Sequence, residues 1–244
     1  MTAPPSFRVK ICGVRKVSEV RTAAAAGADA VGLNFYPPSV RFLADPQQVA
    51  DLVTAADQLG MLCIGVFVNE DESRMIEAVE SRGVGAVQLH GDESLAVAQR
   101  LVARGIPVIR AVRLPGQGLE PDEVERRVRP WREAGCGVLL DADVGSRYGG
   151  EGHRLDWRQI GRWNRSGTSR WMLAGGLNVQ RVGEAIQESG AWGVDVASGV
   201  ERPRGQKDPR LITRFTSAAI SALEATEAGH HDSNPDSGRQ ENTR

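Results

Sequence analysis

A chain of 244 residues with 41% hydrophobic side chains can bury one large core, and its 30 basic and 31 acidic residues leave a formal charge of −1. That balance gives no reason to expect nucleic acid or a membrane surface as partner, and leaves room only for a local basic site. No run reaches the roughly 18 apolar residues that span a bilayer, and the opening "MTAPPSFRVK" lacks the apolar centre of a secretion signal, so a cytoplasmic protein is expected.

The first β-rich run is "VKICGV", from Val9, with residues 1–8 read as an N-terminal extension. Seven more follow in order: "DAVGLNF", "LCIGVFV", "AVQLH", "PVIRAVRL", "GVLLDA", "WMLAGG" and "GVDVAS". They start roughly 20 to 34 residues apart, which is room for a strand, a helix and two loops. Their nearly continuous apolar character fits a parallel sheet buried on both faces, and segments such as "VSEVRTAAAAGA" and "NVQRVGEAIQESGA" supply the covering helices. Eight such units predict an α/β protein of the (β/α)8 TIM-barrel class, a single domain over residues 9–226. A doubly wound open sheet is the alternative, but no GxGxxG follows the first strand. From about Glu227 the chain loses apolar periodicity, and 227–244 is expected to be a disordered tail, its His230 and His231 not metal ligands. Three cysteines, Cys12, Cys63 and Cys136, form an odd set with no CxxC spacing, so free thiols are expected rather than a disulfide framework or a zinc site.

In a barrel the chemistry lies where strands end and βα loops begin. The successive ends offer Cys12 and Gly13, then Arg41 in "FYPPSVR", Asn69, His90 in "QLHGDES", Arg113, Asp141, Gly175 with Gly176, and Ser198 with Gly199. The small residues of the last two loops let backbone N–H groups approach an anion, and barrel phosphate sites are frequently built there. A small phosphorylated substrate is the predicted partner. The sequence does not distinguish monomer from homodimer.

The ordered series "KICGV", "GLNFYPPSVR", "GVFVN", "QLHGDES", "LLDA", "GGEGHRLDW", "LAGGLN" and "VDVASGVE…GQKD", from about residue 9 to 216, resembles the motifs of phosphoribosylanthranilate isomerase, a family of tryptophan biosynthesis. The resemblance implies a (β/α)8 barrel and a cofactor-free Amadori rearrangement of N-(5-phosphoribosyl)anthranilate to 1-(2-carboxyphenylamino)-1-deoxyribulose 5-phosphate. It implies Cys12 as general base, Asp141 as general acid and Arg41 as holder of the anthranilate carboxylate. His90 is expected to contact substrate, and Gly175, Gly176, Ser198 and Gly199 to bind its phosphate. Arg113 is a weaker candidate for contact, and Asp143 competes with Asp141. Cys63 and Cys136 fall near strand beginnings, the end of a barrel that serves stability.

Two departures stand out: Glu151 followed by His153 in "GGEGH", where the family has Ser or Thr between glycines, and Val40 where proline is frequent. A carboxylate in that loop opposes an anionic substrate unless it points outward. Two other functions remain open. One is a catalytically silent phosphate-binding barrel. The other is the related phosphosugar isomerase of histidine biosynthesis, whose site uses aspartates after strands one and five, where this chain has Cys12 and Arg113.

Overall fold

The structure, a computed structural model, describes residues 4–118, 120–142, 155–164 and 170–231, the side chains of 229–231 excepted. Its strands are β1 (Val9–Cys12), β2 (Ala30–Asn34), β3 (Leu62–Phe67), β4 (Ala86–Leu89), β5 (Val108–Leu114), β6 (Gly137–Ala142), β7 (Met172–Leu173) and β8 (Gly193–Val196). Each is parallel to its neighbours, and the ring closes β1 to β8 in sequence order. The helices are α1 (Val17–Ala25), α2 (Pro46–Gln58), α3 (Glu72–Glu80), α4 (Leu95–Ala103), α5 (Pro121–Glu133), α6 (Trp157–Trp163), α7 (Val182–Ser189) and α8 (Pro209–His231). All eight predicted strands are present, and the closed ring rules out the open sheet.

Strand residues alternate between two apolar environments, which is why the runs carry no polar face. Val9, Ile11, Val31 and Leu33 point outward into the layer shared with the helices. Ala30, Ile64, Ala86, Ile109, Ala111, Leu139, Met172 and Ala174 fill the barrel itself. Phe7 joins that inner cluster and is 1% exposed. The end of the predicted extension is thus the plug of the barrel's N-terminal mouth. Its backbone is clamped there: Val194 N–H donates to Arg8 O at 2.8 Å, and Asp29 accepts from Arg8 and Val9 N–H at 2.9 and 2.8 Å.

The other end also departs from expectation. α8 continues to His231, so residues 227–231 are helix rather than tail, and 232–244 lie outside the described residues. Ile212, Phe215, Ala219 and Leu223 seat this helix on the barrel, and the strong helix formers of "LEATEA" carry it past the last buried turn. Glu227 pairs with Arg8, whose guanidinium also lies over Trp192 at 5.2 Å. No described helix is long and apolar enough to cross a membrane.

Candidate active site

The inward rows of β1, β4, β6 and β8 interrupt the apolar filling with polar side chains. Lys10 and Cys12 share one face of β1 because they are two residues apart, and Gln88 on β4 shares its face in the same way with His90, the first residue past that strand. Gly32, paired with Cys12 across β1 and β2, makes room for them: a Cβ there would stand 2.8 Å from Cys12 Sγ and 3.0 Å from Lys10 Cε. Lys10, fully buried, places Nζ 2.8 Å from Gln88 Oε1 and 3.2 Å from Asp195 Oδ1. Burial lowers the Lys10 ammonium's affinity for its proton, but Asp195 and Cys12 more than reverse this and hold its pKa above the ordinary value.

Cys12 is the last residue of β1, 8% exposed at the C-terminal mouth. Burial pushes its thiol above the ordinary 9.0; Lys10, Lys207 and Arg41 pull it back, and Asp195 adds to the rise. A thiol is alkylated through its thiolate. The iodoacetamide rate at Cys12, followed by mass spectrometry, should therefore climb with pH through a midpoint above 9.0. A midpoint below that value would contradict this balance of burial and charge.

Arg41 arrives from the loop after β2. Its stem crosses Gly13, where a Cβ would lie 2.3 Å from Arg41 Cδ and where φ is +76°, so both space and backbone require the glycine of "KICGV". The guanidinium donates from Nε and Nη2 to the two carboxylate oxygens of Glu201, at 2.6 and 2.8 Å. Glu201 also accepts from Lys207 Nζ at 2.7 Å and Gly205 N–H at 2.9 Å. Burial alone would raise the Glu201 carboxyl, but Arg41, Lys207 and the Gly205 amide bring it down to about 2.

Asp141 sits in β6 with its side chain inward. Oδ1 accepts from Ala142 N–H at 2.8 Å, and Oδ2 lies 3.1 Å from His90 Nε2. His90 Nδ1 is 2.9 Å from Gln88 Nε2. The glycine pair after β7 shapes this pocket and the neighbouring loop. Gly175 and Gly176 take φ of +84° and +65°, and a Cβ on Gly175 would come within 2.9 Å of Asp141 Oδ1. Ser198 and Gly199 open a short 3-10 turn, Ser198–Val200, and Gly199 packs so tightly on the β7 loop that a Cβ would meet Leu177 O at 1.9 Å. The last two βα loops are therefore one continuous surface.

Cys12, Arg41, His90, Asp141 and the four small residues thus converge on one mouth. Arg113, at the end of β5, is paired with Asp92, and Asn69 uses its side chain to accept from Asp92 N–H at 2.6 Å, tying two loops together. Asp143, Glu151 and His153 lie outside the described residues, while Val40 is 51% exposed. Cys63 and Cys136 are buried in the outer apolar layers, their thiols pushed up to about 12 and about 11 by desolvation. Sequence reasoning missed Lys10, Gln88, Asp195, Glu201 and Lys207. For the first three a signal existed, a polar residue at inward parity in an otherwise apolar strand. For the pairing of Glu201 with Arg41, 160 positions apart, there was none.

A closed parallel barrel with ionisable side chains gathered at its C-terminal mouth defines a (β/α)8-barrel enzyme. A family model described as N-(5'phosphoribosyl)anthranilate (PRA) isomerase matches residues 9–218, and the chain belongs to that family. A protein of this name from Myxococcus xanthus is 41% identical over 218 residues, covering 88% of this chain and 97% of that one. One from Cereibacter sphaeroides is 40% identical over 87% and 98%. The crystal structure of the Thermotoga maritima phosphoribosylanthranilate isomerase superposes with a TM-score of 0.76 at 33% identity, covering 88% of this chain and 98% of that one. A phosphoribosylanthranilate isomerase solved with reduced 1-(o-carboxyphenylamino)-1-deoxyribulose 5-phosphate gives 0.73 at 32%, with the same coverage.

Proposed function

We propose that the chain converts N-(5-phosphoribosyl)anthranilate to 1-(2-carboxyphenylamino)-1-deoxyribulose 5-phosphate, a step of tryptophan biosynthesis, with Asp141 as acid and Cys12 as base. The observation that carries this reading is the placement of the two groups, inward-facing at the C-terminal ends of β6 and β1 on one mouth. Asp141 gives its proton to the furanose ring oxygen as the C1–O bond breaks, and the anilino nitrogen's lone pair forms the C1=N iminium. That cation acidifies C2. Because burial raises the Cys12 thiol, the thiolate is the minor form at neutral pH, and it is this form that takes the C2 proton; the electron pair moves into C1=C2, and the resulting enolamine tautomerises to the C2 ketone.

The anionic ends of the substrate fit the same mouth. Glu201 engages the Nε–Nη2 face of Arg41 and leaves the end of the fork, at Nη1, for the anthranilate carboxylate. His90 contacts the sugar beside Asp141. The loops of Gly175–Gly176 and Ser198–Gly199 take the phosphate through backbone N–H groups. Inorganic sulfate should then compete with substrate, and Gly176→Asp should raise KM about ten-fold or more by placing a charge where the phosphate sits. An unchanged KM would move the phosphate elsewhere.

The test of the function is turnover of phosphoribosylanthranilate generated in situ, followed by loss of its fluorescence. Turnover supports the proposal; none, with substrate or sulfate still bound, marks a silent phosphate-binding barrel. The histidine-pathway reading is disfavoured because β5 delivers Arg113, paired with Asp92, rather than a carboxylate.

A further inference from the structure

The hydrogen bonds across the barrel run in one direction. Lys10 Nζ, 2.8 Å from Gln88 Oε1, is an ammonium with three donors and no acceptor. The Gln88 carboxamide must therefore turn its oxygen to Lys10 and its NH2 to His90 Nδ1, 2.9 Å away. Nδ1 is then an acceptor, so the single proton of a neutral imidazole stands on Nε2 and is donated to Asp141 Oδ2 at 3.1 Å. The other oxygen, Oδ1, receives the Ala142 N–H at 2.8 Å. Among the described residues, both hydrogen-bonding neighbours of the Asp141 carboxyl are donors, and neither can accept. When Asp141 carries a proton, its O–H has no acceptor at these two positions and is left for the mouth side, where the substrate would lie.

We infer that Lys10 and Gln88 are positioning residues which, by fixing the tautomer of His90, aim the acid proton of Asp141 at the substrate. The inference rests on Asp141 being the acid. In the opposite tautomer a bare Nε2 would accept the Asp141 O–H, and the proton would point into the protein instead of at the ring oxygen. Lys10 suits the head of such a chain because it is wholly buried with Asp195 as counter-ion, and Gln88 is equally buried, so no bulk water competes for either end.

The direct test is nitrogen-15 NMR of the histidines in the full chain, which has four, His90 being assigned by the signal lost in His90→Gln. In its neutral form His90 should show a protonated Nε2 and a bare Nδ1. Gln88→Glu keeps the shape but presents a carboxylate to Nδ1, so the proton should appear on Nδ1 and kcat should fall about ten-fold or more with KM nearly unchanged, within the range of acid–base effects. Gln88→Met cuts the chain without reversing it and should cost less. A packing role alone predicts the reverse order, since Glu is the closer fit.

A wild-type His90 protonated on Nδ1 overturns the inference, as does a Gln88→Glu variant whose tautomer switches while kcat stays. Because the tautomer is read without turnover, it decides the chain's direction whatever the kinetics show. Full activity in Asp141→Asn would instead remove the acid reading on which the aim of the proton depends.

Discussion

Asp141→Asn is expected to lower kcat by about 10²-fold or more while the barrel stays folded, because a carboxamide keeps the shape of the side chain but has no acidic proton for the ring oxygen. The loss should fall on kcat rather than KM, since in the proposed mechanism the group acts as the C1–O bond breaks and not in holding the substrate. Steady-state kinetics on the purified variant measure both. A KM effect with intact kcat would make Asp141 a binding group.

The largest effect on stability is expected at Glu201. Its carboxylate, 1% exposed at the side chain, neutralises both Arg41 and Lys207. Glu201→Gln removes that charge and leaves two buried cations uncompensated, which costs about 3–5 kcal/mol by the usual scale for breaking a buried pair. Urea unfolding at neutral pH reads this directly. In the wild type the same pairing is linked to pH. Despite burial, Arg41 and Lys207 hold the folded carboxyl down at about 2, against an ordinary 4.5, so its contribution is complete above 4.5 and is lost as pH falls from there. Wild-type stability should drop across that window, and the Gln variant should lack this part of the drop. Equal stability of the two proteins at neutral pH would mean that the network relaxes without cost.

The barrel was legible because each strand's apolar run and each βα interval repeats one unit eight times, and parity within the runs followed from the pleat. Cys12 and Asp141 were legible as ionisable residues at strand ends, and the structure places both at the C-terminal ends of their strands. The same parity rule, applied to Lys10 and Gln88, would have found the buried polar row, but a lysine two residues before a cysteine does not announce that its partner is 78 positions away. Glu201 was within a quoted motif, yet its bond to Arg41 depends on two loops meeting over Gly13, a tertiary fact. Phe7 looked peripheral because a lone aromatic before the first strand carries no periodicity. The end of α8 was misplaced because the last turns carry few apolar residues and owe their helicity to propensity.

The central claim, separate acid and base at the ends of β6 and β1, is tested most directly by the isotope effect on kcat with substrate deuterated at C2, compared between Cys12→Ser and Asp141→Asn. Cys12→Ser can still open the ring and should stall at loss of the C2 proton, so it should show a full primary isotope effect. Asp141→Asn is held up before that step and should show almost none. The same isotope effect in both variants, or a larger one in Asp141→Asn, would contradict the assignment.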